Sequence, residues 1–169
     1  ITDLCKEGNN EMTIEVSNED TPSMYPASAD FTFYGGLYRG VNLISVPHTH
    51  FDLDYYGGSG IKVTPKPTED GGATFEIESF VTNQEDCFTV MYSIEDACGC
   101  EVAAAVRPAD DTAVTIYVPD VKLWSMDEPN LYTVVARLQK NNETYDEICV
   151  NTGVRSYYVT PDGGFFINN

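Results

Sequence analysis

Apolar side chains recur at every second residue along almost the whole chain, and no stretch repeats them at the three- to four-residue spacing of a helix. Met12, Ile14 and Val16 share one face; Phe75, Ile77, Ser79 and Val81 share another. Phe88, Val90, Tyr92 and Ile94 form a third row, with Thr89, Met91 and Ser93 opposite. Successive side chains of an extended strand leave on opposite sides, so this alternation commits a segment to a sheet. Composition agrees: Val and Ile together number 25 and Thr 16, against 7 Leu, a bias toward branched side chains that suit a pleated surface. Further strands are expected at 41–46, 61–64, 102–106, 112–118, 131–139, 144–150 and 154–160, separated by turn clusters at 69–72, 83–86, 97–99, 108–111 and 140–143.

Short strands at even spacing argue for antiparallel sandwiches and against a parallel sheet with crossover helices. Seven or eight fall between about residue 59 and residue 160, enough for one immunoglobulin-like sandwich, expected over 57–160. The first 56 residues hold too few strands to close a second sandwich, and Tyr55-Tyr56-Gly57-Gly58-Ser59-Gly60 reads as a boundary. Residues 1–56 are therefore expected to be the tail of another β domain, with Ile1 a cut end.

The chain carries 27 acidic against 9 basic residues, a net charge of −18. Phosphates would be repelled, so neither nucleic acid nor an anionic membrane is an expected partner. Apolar residues at 42% and aromatics at 12% supply enough buried area to offset ordering entropy, which excludes a disordered chain. The longest apolar run, Val102 to Val106, is far short of the roughly 20 residues that a membrane helix needs. No basic-then-apolar leader opens the chain. Five cysteines (Cys5, Cys87, Cys98, Cys100, Cys149) make no disulfide ladder and no CxxC pair, so all are expected reduced in a cytoplasmic protein. Cys98-Gly99-Cys100 reads as two small residues around a hairpin turn.

Candidate chemistry is sparse. His48 and His50 stand on one face if 48–50 is a strand, a known grip for zinc, but a third ligand such as Asp52 or Asp54 would have to join them. No metal site is assigned. Adjacent acids occur at Glu19/Asp20, Glu69/Asp70, Asp110/Asp111 and Asp127/Glu128, all beside turn residues, where neighbouring carboxylates diverge into water. No Ser-His-Asp order, phosphate loop, dinucleotide fingerprint or calcium loop is present.

Two stretches carry a resemblance. Residues 29–44, Ala29-Asp30-Phe31-Thr32-Phe33-Tyr34-Gly35-Gly36-Leu37-Tyr38-Arg39-Gly40-Val41-Asn42-Leu43-Ile44, resemble the close of the N-terminal sugar-binding jelly roll of family 2 glycoside hydrolases. Residues 123–132, Leu123-Trp124-Ser125-Met126-Asp127-Glu128-Pro129-Asn130-Leu131-Tyr132, followed by Gly153-Val154-Arg155 and Asp162-Gly163-Gly164-Phe165-Phe166-Ile167-Asn168, are similar to the family's immunoglobulin-like domain and its exit toward a catalytic barrel. The wording looks closest to bacterial β-galactosidases.

The resemblance implies an all-β chain: the last strands of the jelly roll over 1–56, the complete sandwich over 57–160, and the start of a barrel linker over 161–169. It implies a parent that hydrolyses terminal β-galactosides with retention through two glutamates, often as a homo-oligomer with divalent and monovalent metal ions. Those glutamates would lie on barrel strands downstream of Asn169. A retaining pair must stand about 5–5.5 Å apart, and the resemblance implies no catalytic residue, no cofactor and no activity within these residues alone; the barrel of the same chain is the implied partner. Asp30, six positions before Gly36, matches an acidic residue that binds sugar hydroxyls or a monovalent cation, and a turn aspartate accepting backbone N–H bonds accounts for it equally well.

The remaining motif residues have physical reasons of their own. Gly36 permits a positive φ at a sharp turn. Trp124 can bury a large ring at one end of the sandwich, and Pro129 stops further ladder pairing next to Tyr132. Arg39 and Arg155 can clamp carbonyls or carboxylates across a seam between domains. Two other classes remain. An immunoglobulin-like adhesin would present an exposed binding strand, and a free carbohydrate-binding module would show an aromatic platform, which Tyr55 and Tyr56, facing opposite ways on a strand, would not make.

Overall fold

A computed structural model describes residues 1–19, 35–85 and 87–168. The chain divides into two compact units, Ile1–Ile44 and Ser45–Asn169. Among the described residues of the first unit a single 3-10 turn, Thr2–Leu4, is the regular element. The alternating rows at 12–16 and 41–46 do not become strands there. Met12, Ile14 and Val16 are 42–57% exposed, and Leu43 is 71% exposed. Alternation chooses which face a strand would bury, but a strand is held by a ladder partner and a covering layer.

The second unit is an immunoglobulin-like antiparallel β-sandwich. Its strands are β1 (His50–Phe51), β2 (Ile61–Pro67), β3 (Ala73–Ser79), β4 (Val81–Thr82), β5 (Thr89–Glu95), β6 (Glu101–Pro108), β7 (Ala113–Val118), β8 (Tyr132–Lys140), β9 (Glu143–Thr152), β10 (Tyr157–Thr160) and β11 (Gly164–Ile167). One sheet runs β2-β3-β7 and the other β6-β5-β8-β9, with β1-β4 and β10-β11 as small ladders of two strands. All pairs are antiparallel. The expected strand at 154–160 is shortened to Tyr157–Thr160, because Val154 bonds instead to the connection that carries Trp124. The hairpin strand β11 was not foreseen.

The two sheets close on the rows that the sequence marks out. Phe75, Ile77 and Ser79 from one sheet meet Val90, Tyr92 and Ile94 from the other, all fully or almost fully buried. Phe51 joins them at 0% exposure, which places the entering strand β1 in the sandwich core. The hydroxyls of Ser79 and Tyr92 share a buried hydrogen bond at 2.6 Å, and burial pushes the Tyr92 phenol up from its ordinary value. Ser93 lies on the opposite, outer face, yet it too is buried, and its Oγ has no partner among the described residues. These two serines should respond oppositely to truncation. We expect Ser93→Ala to raise stability by about 1 kcal/mol, since an unsatisfied buried hydroxyl is removed, and Ser79→Ala to lower it by about 1–2 kcal/mol. Urea midpoints of the two variants check the pair of signs.

Tight polar turns close the ends. At Thr68–Gly72 the Asp70 carboxylate accepts from Thr68 Oγ1, from Tyr117 Oη at 2.7 Å and from the Gly72 N–H at 3.2 Å. The Thr68 hydroxyl first, then those of Tyr117 and the Gly72 amide, hold its pKa down at about 2, from an ordinary 3.8. A depressed acid stabilises the folded chain above its unfolded pKa, and that contribution fades as pH falls through the folded value. Between about pH 4 and pH 2 the melting temperature of the wild type is therefore expected to fall toward that of Asp70→Asn, with the two curves converging at the acid end.

Candidate functional site

A densely bonded irregular region is the connection from β7 to β8, which runs over residues 119–131. Its backbone does not coil freely, because each end of the loop is tied by a side chain. The Ser125 N–H donates to Glu128 O at 2.9 Å while the Glu128 N–H donates to Ser125 Oγ at 3.0 Å, closing the turn that carries Met126 and Asp127. Asn130 Nδ2 reaches back to Leu123 O at 3.0 Å. The Lys122 N–H donates to Tyr132 Oη at 2.9 Å, so the phenol of a core residue anchors the start of the connection. Tyr132 is 6% exposed and meets the Phe75 ring edge-on.

Trp124 is the hub. It bridges Pro129 within the connection, and its N–H donates to Val154 O at 2.8 Å, joining the segment that leaves β9. Its carbonyl accepts from Asn168 Nδ2 at 2.8 Å. Asn168 also accepts the Ser156 N–H at 3.1 Å and returns its own N–H to Ser156 O at 3.0 Å. The Arg155 guanidinium lies over the indole, 4.8 Å from the ring centroid. Gly153 is what lets the two segments touch, since a Cβ there would stand 2.7 Å from Trp124 Cβ. Three stretches of chain distant in sequence thus converge on one half-buried tryptophan, two through its backbone N–H and carbonyl and one through its ring.

The sequence-derived site residues fall into three groups. Trp124, Pro129, Tyr132 and Arg155 come together in this joint. Gly36 and Arg39 lie in the first unit, where Gly36 takes φ +94° and the Arg39 guanidinium sits 5.3 Å from the Tyr38 ring centroid. Asp30 lies outside the described residues. Arg155 engages an aromatic face where a carbonyl or carboxylate was expected. Asn168 and Gly153 are in the recognised motifs, but their contacts with Trp124 are not written in local spacing, because each partner is more than twenty residues away.

The contacts of the joint are hydrogen bonds and a stacked cation. Asp127 and Glu128 are exposed at its rim. Among the described residues no group of three or more His, Cys, Asp or Glu side chains converges as a metal site would require. His50 Nδ1 turns to backbone oxygens, 2.9 Å from Pro47 O and 3.1 Å from His48 O. Beside the joint, a groove of about 390 Å³ is lined by Arg155, Tyr157, Asn151 and the Val63–Pro65 edge of β2. A smaller pocket of about 170 Å³ brings Asp96, Asp120 and Lys122 together.

An immunoglobulin-like sandwich sealed at one end by a tryptophan joint defines the class of module. The chain belongs to glycosyl hydrolases family 2, whose family model matches residues 59–155. It is 25% identical to a β-glucuronidase of Bacteroides fragilis over 99% of its length and 27% identical to a β-galactosidase of Bacteroides ovatus over 94%. Among solved structures it is similar to an FMN-binding β-glucuronidase from Faecalibacterium prausnitzii L2-6, at 82% identity over 90% of this chain with a TM-score of 0.88. The chain spans 26%, 19% and 24% of these three proteins respectively, about a fifth to a quarter of each.

Proposed function

We propose that the chain is the sandwich segment of a family 2 β-glucuronidase, and that it seats the preceding sugar-binding module against a catalytic barrel formed elsewhere in the same polypeptide. The carrying observation is the 82% identity to a β-glucuronidase over 90% of the chain. The β-galactosidase relative stands at 27%, so a glucuronide is favoured over the galactoside suggested by the motif wording. In this reading the sandwich contributes by positioning, fixing the angle at which neighbouring modules meet the substrate. The acid and nucleophile of a retaining hydrolysis belong to the barrel. For Asp30 the proposed role in the parent is binding sugar hydroxyls. The cytoplasm is the proposed location.

Among the described residues, neither pocket beside the joint offers what the flavin of that relative needs. A flavin phosphate needs convergent cations or a cradle of amides, and among the described residues the larger groove is lined by Arg155 alone of the cations, already stacked on Trp124. The smaller pocket pairs Lys122 with two aspartates. No step is derived through the flavin.

The test compares chromogenic β-glucuronide and β-galactoside with the intact parent enzyme. A kcat/KM for the glucuronide at least tenfold above that for the galactoside is expected, with no turnover by the 169-residue chain alone. The reverse preference would favour the galactoside reading, and hydrolysis by the chain alone would end the positioning role.

A further inference from the structure

The hairpin between β5 and β6 turns through residues 96–100, since Glu95 and Glu101 are its last paired residues. That turn reads Asp96-Ala97-Cys98-Gly99-Cys100, and both of its cysteines are exposed free thiols. Asp96 organises it. The Asp96 N–H donates to Cys100 O at 2.9 Å, and the Asp96 carbonyl accepts from the Gly99 N–H at 2.9 Å. Its Oδ1 accepts from both the Cys98 N–H at 2.8 Å and the Cys100 N–H at 2.9 Å. Two amides that share one acceptor oxygen bend the chain around it, so the backbone carrying the two thiols is held in one shape.

Gly99 brings the two cysteines within reach of each other. A disulfide needs its Cα atoms about 4.4–6.8 Å apart, and an extended residue between two cysteines spreads them to about 6.6–7.2 Å. Gly99 takes φ +77° inside a turn whose ends meet at the Asp96 N–H bond to Cys100 O, so the chain there folds back and the span shortens. Cys5, Cys87 and Cys149 are exposed as well, but each stands singly in the sequence, with no second thiol in its own turn. Among the described residues no group of three or more His, Cys, Asp or Glu side chains assembles, so the pair falls short of a metal's ligand set. Cys98 also lines the pocket of about 170 Å³ that holds Lys122 and Tyr132, so a small reagent reaches it from that side.

We propose that this turn holds Cys98 and Cys100 as a redox-active dithiol, which low-molecular-weight disulfides convert reversibly to an intramolecular disulfide. One thiolate attacks a sulfur of the reagent RS–SR; the reagent's S–S bond breaks, RS⁻ leaves and a mixed disulfide forms. The other thiolate then attacks the protein sulfur of that mixed disulfide and expels a second RS⁻. The proton of each thiol ends on a released RS⁻, so the cysteines give up two electrons and two protons while RS–SR becomes two RSH. A ring closed across a single residue is strained and exposed, and such disulfides are readily reduced. Excess RSH therefore reverses the reaction, and the site is a switch and not a staple. The Asp96 bonds engage backbone amides and take no part in the exchange, so the sandwich stays folded in both states. The site does not depend on which glycoside the parent cleaves.

The full chain, reduced and then equilibrated with mixtures of oxidised and reduced glutathione, provides the test. After alkylation of the remaining thiols, cleavage following Glu95 and Glu101 releases residues 96–101, which hold these two cysteines and no other. In the wild type that peptide should be unalkylated and lighter by two hydrogens, and it should return to the dithiol as reduced glutathione is raised. Cys98→Ser and Cys100→Ser each remove the resolving thiol. In either variant the glutathione-bound form of the peptide should rise at least about tenfold over wild type, while modification of Cys5, Cys87 and Cys149 stays the same. An unchanged melting temperature will show that each variant folds. Urea, which releases the turn, should lower the ratio of internal to mixed disulfide at least about threefold. A wild-type peptide that remains a dithiol while Cys5, Cys87 and Cys149 are modified overturns the proposal. So does one that holds glutathione as much as the single variants do, a bridge from either cysteine to a third, or a ratio indifferent to urea.

Discussion

Adding one methyl group at Gly153 is expected to destabilise the chain by about 3 kcal/mol and to release Trp124 from its joint. The new Cβ would lie 2.7 Å from Trp124 Cβ and 2.8 Å from Cγ. These are the root atoms of the side chain, so rotating the ring away does not relieve the clash and the backbone of one segment has to move. Movement breaks the Trp124 N–H bond to Val154 O and loosens the Asn168 bond to the Trp124 carbonyl. Trp124 is the sole tryptophan in the sequence, so its fluorescence reads this joint and nothing else. Gly153→Ala should red-shift the emission in native buffer and lower the urea midpoint. Arg155→Ala removes only the stacked cation and should cost about 1 kcal/mol, with a smaller spectral shift. If Gly153→Ala leaves both emission and midpoint unchanged, the two segments do not meet as described. In the proposed parent the same substitution should lower kcat/KM without abolishing it, because the joint would orient modules and not touch substrate.

The sandwich was legible because its signal is local and repeated. Phe75, Ile77 and Ser79, or Phe88, Val90, Tyr92 and Ile94, declare a face by their own spacing, and the structure buries every one of them. What the alternation could not say is whether a second layer exists to cover the other side. Ser93 sits on the face opposite Tyr92 and is buried all the same, beside Val135 at 3% exposure. The same gap explains 12–16 and 41–46, whose apolar rows have neither ladder partners nor cover among the described residues. The joint was legible in part. Trp124, Pro129, Tyr132 and Arg155 stood out by motif, but the stacking of Arg155 on Trp124 and the closure by Asn168 join residues 31 and 44 positions apart. Contacts at that distance are set by topology, and no pattern in a short window encodes them.

Gly60→Ala is expected to cost at least about 3 kcal/mol, and Gly57→Ala only about 1 kcal/mol. Both glycines take positive φ, +71° and +64°, so both substitutions carry the left-handed penalty of an L-residue. They differ in what a side chain would meet. A Cβ at Gly57 finds nothing within 4 Å, whereas one at Gly60 would stand 2.7 Å from both the N and the O of Asp52 and 3.0 Å from the carbonyl carbon of Phe51. Backbone atoms cannot rotate aside. The entering strand would have to withdraw, and it is held by the Asp52 N–H on Phe80 O, the Phe80 N–H on Gly60 O and the Phe51 N–H on Asp146 Oδ2. Withdrawal also draws the fully buried Phe51 ring from the core, a loss that on its own reaches several kcal/mol when complete. Against a total stability of about 5–15 kcal/mol for a domain, that is a large fraction. Urea unfolding of the two variants side by side measures the difference, and hydrogen exchange at the Phe51 amide locates it: fast exchange in Gly60→Ala and native protection in Gly57→Ala. Equal costs for the two would mean that β1 does not cross against Gly60, and Phe51 would then lose its place in the sandwich core.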